Sequence, residues 1–165
     1  MSFSRDQIES YLSEVTDPEI PVLSIMDMGI VRDIVFHENE LEIVITPTYS
    51  GCPAMDAIAF DIRMKMIEKG VAPVIITQKL HPAWTTDWMS ASGKEKLKAY
   101  GIAPPVGDSD HQRIDKLLFE EVSGVICPRC NSSNTKLLSQ FGSTACKSLY
   151  QCEDCKEPFD YFKCH

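Results

Sequence analysis

Residues 127–155 read CPRCNSSNTKLLSQFGSTACKSLYQCEDC. The stretch opens on Cys127-Pro-Arg-Cys130 and closes on Cys152-Glu-Asp-Cys155, with 21 residues between the two pairs. Two CxxC pairs at this separation have the ligand spacing of a zinc ribbon: each pair forms a tight knuckle, and a β-hairpin brings four thiolates around one tetrahedral ion. A redox reading is weaker, because neither pair opens a helix after a strand as thioredoxin-type motifs do. Zinc is the leading ion, having no redox chemistry and favouring closed four-thiolate sites, and iron suits the same geometry. Residues 124–165 hold few apolar side chains, so metal binding is expected to supply most of their folding energy.

Working outward, the remaining cysteines are unevenly placed. Six of the seven lie in the last quarter of the 165-residue chain, and Cys52 stands alone in the first 126 residues. That asymmetry points to two units, one with an ordinary core and one stapled by metal. An odd total precludes complete disulfide pairing and fits a reducing compartment. Cys146, Cys164 and His165 exceed the needs of one four-ligand site. Either Cys146 packs as a small hydrophobe beneath the ribbon and Cys164-His165 is a free tail, or Cys146, with or without that tail, serves as an accessory ligand for a second metal or a cluster in transfer.

The start, MSFSRDQIESYL, has no apolar segment behind a basic leader, and no apolar run reaches the roughly 18 residues of a membrane span. The expectation is a soluble, cytoplasmic protein with no membrane contact. The net charge is −8, divided into +1 from residue 124 onward and −9 for the remainder. Affinity for nucleic acid comes mainly from neutralising phosphates, so this balance argues against such a partner and in favour of proteins.

The hydrophobic pattern predicts an α+β fold. Ile8, Tyr11, Leu12 and Val15 recur at helical spacing over 4–15, with Ser4 or Asp6 as cap and Pro18 as stop. Ile30 to Phe36 and Leu41 to Ile45 form a hairpin across His37-Glu38-Asn39-Glu40. A second helix begins near Pro53, buries Met55, Ile58, Ala59, Ile62 and Met66, and ends at Lys69-Gly70; Val71 to Leu80 then supply a strand. The order is α-β-β-α-β. A further helix follows, with Ser92 and Glu95 in capping-box spacing and Gly101 at its end. We place an α/β domain at 1–102, a linker at 103–123 and the ribbon at 124–165. An apolar hairpin edge allows for a homodimer.

Cys52 precedes Pro53 at the expected N-cap of the second helix, where the macrodipole should favour its thiolate. Thr46, Thr48, Tyr49 and Ser50 can donate hydrogen bonds there. Such a thiol suits transient iron binding or mixed-disulfide chemistry, against the alternative of an inert buried cysteine. Asp17-Pro-Glu19-Ile-Pro sets two carboxylates on a stiff, extended segment as caps or ligands. His81, Trp84, Asp87 and Trp88 form an aromatic and polar loop, suited to packing or to protein contact. Cys52, His81 and Asp87 can be written as a nucleophilic trio, but their spacing gives it no support.

The segments DPEIPVLSIMDMGIVRDI and TPTYSGCPAMD resemble the MIP18 or SufT-like domain (DUF59), which is linked to iron–sulfur protein maturation. With the appended FGSTACKSLYQCEDCKEPFDYFKCH, the chain resembles the PaaD type, a family of phenylacetyl-CoA epoxidase (ring 1,2-oxygenase) components of bacterial phenylacetate degradation. The resemblance implies a compact α-β-β-α-β domain with a zinc ribbon and no catalytic reaction of its own. It further implies a maturation role toward an iron or iron–sulfur partner, such as the ferredoxin-type reductase component or the di-iron oxygenase. Carried over by motif, Asp17, Glu19 and Cys52 are the candidates for iron or cluster transfer. Cys127, Cys130, Cys152 and Cys155 are the zinc ligands. The rival reading is a structural or regulatory component that docks on the oxygenase through the Trp84–Trp88 loop and the ribbon.

Overall fold

The computed structural model describes residues 3–105 and 124–163. It separates into two compact units, Met1–Trp84 with Trp88–Gly93, and Thr85–Asp87 with Lys94–His165.

In the first unit, α1 (Arg5–Leu12) starts at Ser4. The Ser4 hydroxyl accepts from the Gln7 amide and the Gln7 side chain accepts from the Ser4 amide, a reciprocal cap that satisfies two otherwise orphaned donors. Strands β1 (Val31–Phe36) and β2 (Leu41–Ile45) form the expected hairpin. The His37 amide closes its turn by donating to the Glu40 carbonyl at 2.9 Å. Helix α2 (Ala54–Glu68) then carries the chain back, so that β3 (Val74–Gln78) pairs parallel to β2 and the sheet order is β1-β2-β3. A crossover helix is what lets consecutive strands run parallel. Met55, Ile58, Ile62 and Met66 of α2 are buried, as are Ile8 and Leu12 of α1 and Leu41, Ile43 and Ile45 of β2.

Helix α1 ends at Leu12 and β3 is shorter than the expected Val71–Leu80. Pro73, which has no amide for a ladder, stands just before that strand. The N-cap of α2 is Pro53, with no side-chain cap bond, so Cys52 lies one residue outside the position assigned to it. Of the two readings of the aromatic loop, packing or protein contact, packing is the one seen at both tryptophans. Trp84 is 2% exposed and donates from Nε1 to the Met28 carbonyl at 2.8 Å, while the Arg32 guanidinium lies 3.4 Å from the Trp88 ring centre.

Helix α3 (Ala91–Tyr100) is capped by Ser90, whose hydroxyl accepts from the Gly93 amide at 2.8 Å. The expected cap, Ser92, already lies within the helix. Gly101, at φ +95°, ends it in a conformation that favours glycine. Strand β4 (Ile102–Ala103) follows at once and pairs parallel to β7 (Pro158–Phe162). With β5 (Thr135–Ser139) and β6 (Lys147–Cys152), the sheet order is β4-β7-β6-β5. The boundary drawn from sequence after residue 102 therefore divides β4, whose two residues belong to the ribbon's sheet. Residues 106–123 of the linker, and Cys164 and His165, lie outside the described residues. The α+β class with a β-rich C-terminal ribbon is the one observed.

Val125, Tyr150, Phe159 and Tyr161 form a small core in this second unit with Ala103, Cys127 and Cys152, and Leu137 packs against it. Tyr150 stacks on Phe159 at 6.0 Å and meets Tyr161 edge-on at 5.7 Å. Such offset and edge-to-face pairs are the favoured aromatic geometries.

Candidate metal centre and the Cys52 turn

The two knuckles are built alike. The Cys127 amide donates to the Ser132 carbonyl at 2.9 Å, and the Cys152 amide donates to the Glu157 carbonyl at 3.0 Å. In each knuckle the residue after the second cysteine, Asn131 at φ +61° and Lys156 at φ +64°, turns left-handed. Asparagine tolerates that conformation; for lysine it costs about 1 kcal/mol or more, a strain the surrounding loop must hold. Asp154 ties one knuckle to the other, accepting from the Ser132 hydroxyl and from Asn134 Nδ2 at 2.8 Å. Nothing in the CxxC spacing signals this clamp.

Sγ of Cys127 lies 3.8 Å from that of Cys155, and Sγ of Cys130 lies 3.5 Å from that of Cys152. All four sulfurs fall within 4.8 Å of one another. A tetrahedron with zinc–sulfur bonds of about 2.3 Å has edges of about 3.8 Å, so the cage is the right size for that ion. The donor chemistry agrees. The Cys155 amide, donating to Cys152 Sγ, leads in lowering the Cys152 thiol to about 7. The Ser132 amide favours a Cys130 thiolate, yet the neighbouring Cys152 sulfur and burial outweigh it and push that thiol up to about 12. Cys155 is also raised: the Glu157 amide pulls down, against burial and Cys152. One ionised sulfur thus holds protons on its neighbours, a conflict that a divalent cation removes.

Cys146 is not part of this cage. It is buried, its Sγ lies 3.1 Å from the Thr144 hydroxyl, and its carbonyl accepts from the Lys163 amide. Among the described residues, the four-cysteine set is the one group of three or more ligating side chains close enough to share an ion.

Cys52 is half-buried, and burial pushes its thiol up, opposite to the expected shift. Hydrogen bonds from the Ala54 amide and the Tyr49 hydroxyl pull the other way without prevailing, and the charges of Glu19 and Asp17 add to the rise. The helix start does not decide the matter because the thiol loses more hydration than the turn returns. Alkylation of Cys52 in the zinc-loaded protein should therefore be slower at neutral pH than that of a free cysteine. Its rate should rise through a midpoint above the ordinary thiol value; a midpoint below it contradicts this account.

Asp17 is 6% exposed, and its Oδ1 accepts from the Glu19 and Ile20 amides, each at 2.8 Å. It shapes its own loop as an Asx turn. His81 places Nδ1 3.3 Å from the Leu80 carbonyl, and among the described residues Cys52, His81 and Asp87 form no metal-type cluster. Sequence reasoning also missed buried Asp27, which accepts from the Ser24 amide and hydroxyl and from the Ser90 hydroxyl at 3.0 Å. A short polar motif beside serines is too common a pattern to reveal it.

Comparison with known proteins gives two family matches: residues 5–72 match an iron–sulfur cluster assembly protein family, and residues 112–163 match the PaaD zinc β-ribbon domain. An Escherichia coli K12 protein, named as one of the subunits of 1,2-phenylacetyl-CoA epoxidase, is 49% identical over 96% of this chain and 92% of its own length. A Porphyromonas gingivalis Fe-S protein maturation auxiliary factor is 37% identical over 57% of this chain and 90% of its own length. Among solved structures, a DUF59 domain from Bacillus anthracis is similar at TM-score 0.53 and 27% identity, over 56% of this chain and 89% of that one. A conserved hypothetical protein of Thermotoga maritima is similar at TM-score 0.50 and 27% identity, over 59% and 98% respectively. No helix among the described residues is long and apolar enough to cross a membrane. With nearly its whole length aligned and both parts matched in order, the chain belongs to the PaaD family, in which a MIP18/DUF59 iron–sulfur assembly domain carries a zinc ribbon.

Proposed function

We propose that this chain is a non-catalytic maturation factor for a phenylacetyl-CoA epoxidase system in aerobic phenylacetate degradation, assisting iron or iron–sulfur assembly in a partner protein of that system. The observation that carries the reading is the joint alignment: one relative named as an epoxidase component matches nearly the whole chain, and one named as a maturation factor matches its first part. The proposed partners are the epoxidase subunits, including the iron–sulfur reductase component.

The two units then divide the work. Cys127, Cys130, Cys152 and Cys155 would hold a structural zinc, whose bonds order the ribbon. Cys52 would be the transfer ligand and iron, or a cluster, the cargo. Its thiol keeps its proton at neutral pH until a soft cation displaces it, and that proton leaves to solvent as the metal–sulfur bond forms. Asp17 and Glu19, whose negative charges reach the thiol, favour a cation there.

Cys52→Ser should leave the fold unchanged while the recipient protein, matured alongside it, acquires little iron. Full iron loading of the recipient rejects the transfer role. One geometric finding favours a second reading, a structural or regulatory component without metal transfer: Asp17 spends an oxygen on its own loop, and no second cage forms among the described residues. Co-purification with the oxygenase in fixed stoichiometry, indifferent to Cys52→Ser, selects that reading. Buried Trp84 cannot supply the contact in either case.

A further inference from the structure

The two edges of the three-stranded sheet differ in a way that matters for assembly. His37 and Glu40 are a hydrogen-bonded pair, and such pairs alternate along an antiparallel ladder, so Ile34 turns its amide and carbonyl away from β2. Both groups are occupied. Asp33 Oδ1 accepts from the Ile34 amide at 2.8 Å, and the Arg5 guanidinium donates to the Ile34 carbonyl at 3.3 Å. Arg5 and Asp33 are themselves paired at 3.5 Å. A charged pair thus covers the middle of the β1 edge at Ile34, a common protection against strand addition.

Among the described residues, the β3 edge has no comparable guard. The Leu41 amide donates to the Pro73 carbonyl at 3.0 Å, and the Lys79 amide donates to the Ile45 carbonyl at 2.9 Å. In a parallel ladder this phase turns residues 73, 75, 77 and 79 toward β2, and leaves Val74, Ile76 and Gln78 presenting N–H and C=O outward. No described strand joins the sheet on that side. Residues 71–78, VAPVIITQ, carry no charge in a chain that is 24% charged, and Ile75 is 43% exposed.

We propose that β3 forms a two-fold contact with β3 of a second copy of this chain, antiparallel about Ile76. The outward-facing residues are symmetric about that point: Val74 meets the partner's Gln78, and Ile76 meets the partner's Ile76. Each is a hydrogen-bonding pair, giving about six main-chain bonds. Ile75 then lies opposite the partner's Thr77 in the closer, non-hydrogen-bonded position, where β-branched pairs are favourable. Lys79 lies opposite the partner's Pro73, so no like charges face. A chain of net charge −8 repels its own copies, and this uncharged strip, paired about Ile76, is a place where two copies meet with no like charges opposed. The contact merges two three-stranded sheets into one.

Sedimentation of the full zinc-loaded chain over a concentration series should show the mass doubling. Ile75→Lys should raise the dissociation constant at least about tenfold, with an unchanged circular dichroism spectrum. In a Cys52→Ser background, Ile75→Cys with Thr77→Cys should form an intermolecular 75–77 disulfide under mild oxidation, whereas Ile75→Cys alone should not. A chain that stays monomeric at every concentration, a dimer indifferent to Ile75→Lys, or cross-links in another register overturns the proposal. So does an Ile75→Lys effect confined to binding a different protein, which assigns the edge to an outside strand.

Discussion

An excess of a strong zinc chelator should unfold the ribbon and leave the first unit folded. Zinc binding to thiolate sites of this kind is worth about 10–16 kcal/mol near neutral pH, and in small ribbons that energy is folding energy. The apolar core that remains is small, and two of its members, Cys127 and Cys152, are themselves proposed ligands. The placement of the tryptophans lets the two units be followed separately. Both tryptophans of the chain, Trp84 and Trp88, belong to the first unit, while Tyr150 and Tyr161 sit in the ribbon's core. Chelation should remove the part of the near-ultraviolet signal that comes from Tyr150 and Tyr161 and release zinc, while tryptophan fluorescence, the helical signal and the contributions of Tyr11 and Tyr49 in the first unit persist. Simultaneous loss of both signals would falsify the metal's confinement to the ribbon. Cys127→Ser should reproduce the chelated state without chelator.

Gly29→Ala should be among the most damaging single substitutions in the first unit. Gly29 is held at φ +67°, and a Cβ there would run into the Trp88 carbonyl and come within 2.8 Å of Trp88 Cβ. Forcing a residue other than glycine into that conformation costs about 1–3 kcal/mol, and overpacking adds about 1–3 kcal/mol. Against a typical total stability of about 5–15 kcal/mol, a loss near 4 kcal/mol lowers the melting temperature by about 15–30 °C. Gly70→Ala separates the two causes, since Gly70 also sits at positive φ, +75°, but a Cβ there meets nothing within 4 Å. It should cost only the conformational part, about 1 kcal/mol. Equal losses at the two positions in thermal melts would remove Trp88 from the explanation.

Much of this architecture could be read directly because it rests on short-range rules. The spacing of Ile8 and Leu12, the alternation of Leu41, Ile43 and Ile45, and the break at Gly70 each fix an element with no knowledge of its neighbours, whereas α1 stops at Leu12, well ahead of Pro18. The four-thiolate cage was legible for the same reason, as ligand spacing is a local pattern that metal geometry demands. What escaped depended on partners distant in sequence. Asp154 holds Ser132 and Asn134, Asp27 holds Ser90, and Trp84 reaches Met28 across 56 residues. The Cys52 thiol was misjudged because its shift depends on burial, which a turn motif does not reveal.

The two residues of β4 make the ribbon a closed circuit of chain. Because Ile102 lies opposite Asp160, the stretch between them departs from and returns to adjacent strands, about 4.8 Å apart. A fragment starting at Gly124 would therefore lack a strand of its own sheet and bare the flank of β7, whereas one starting near Lys94 keeps the circuit whole.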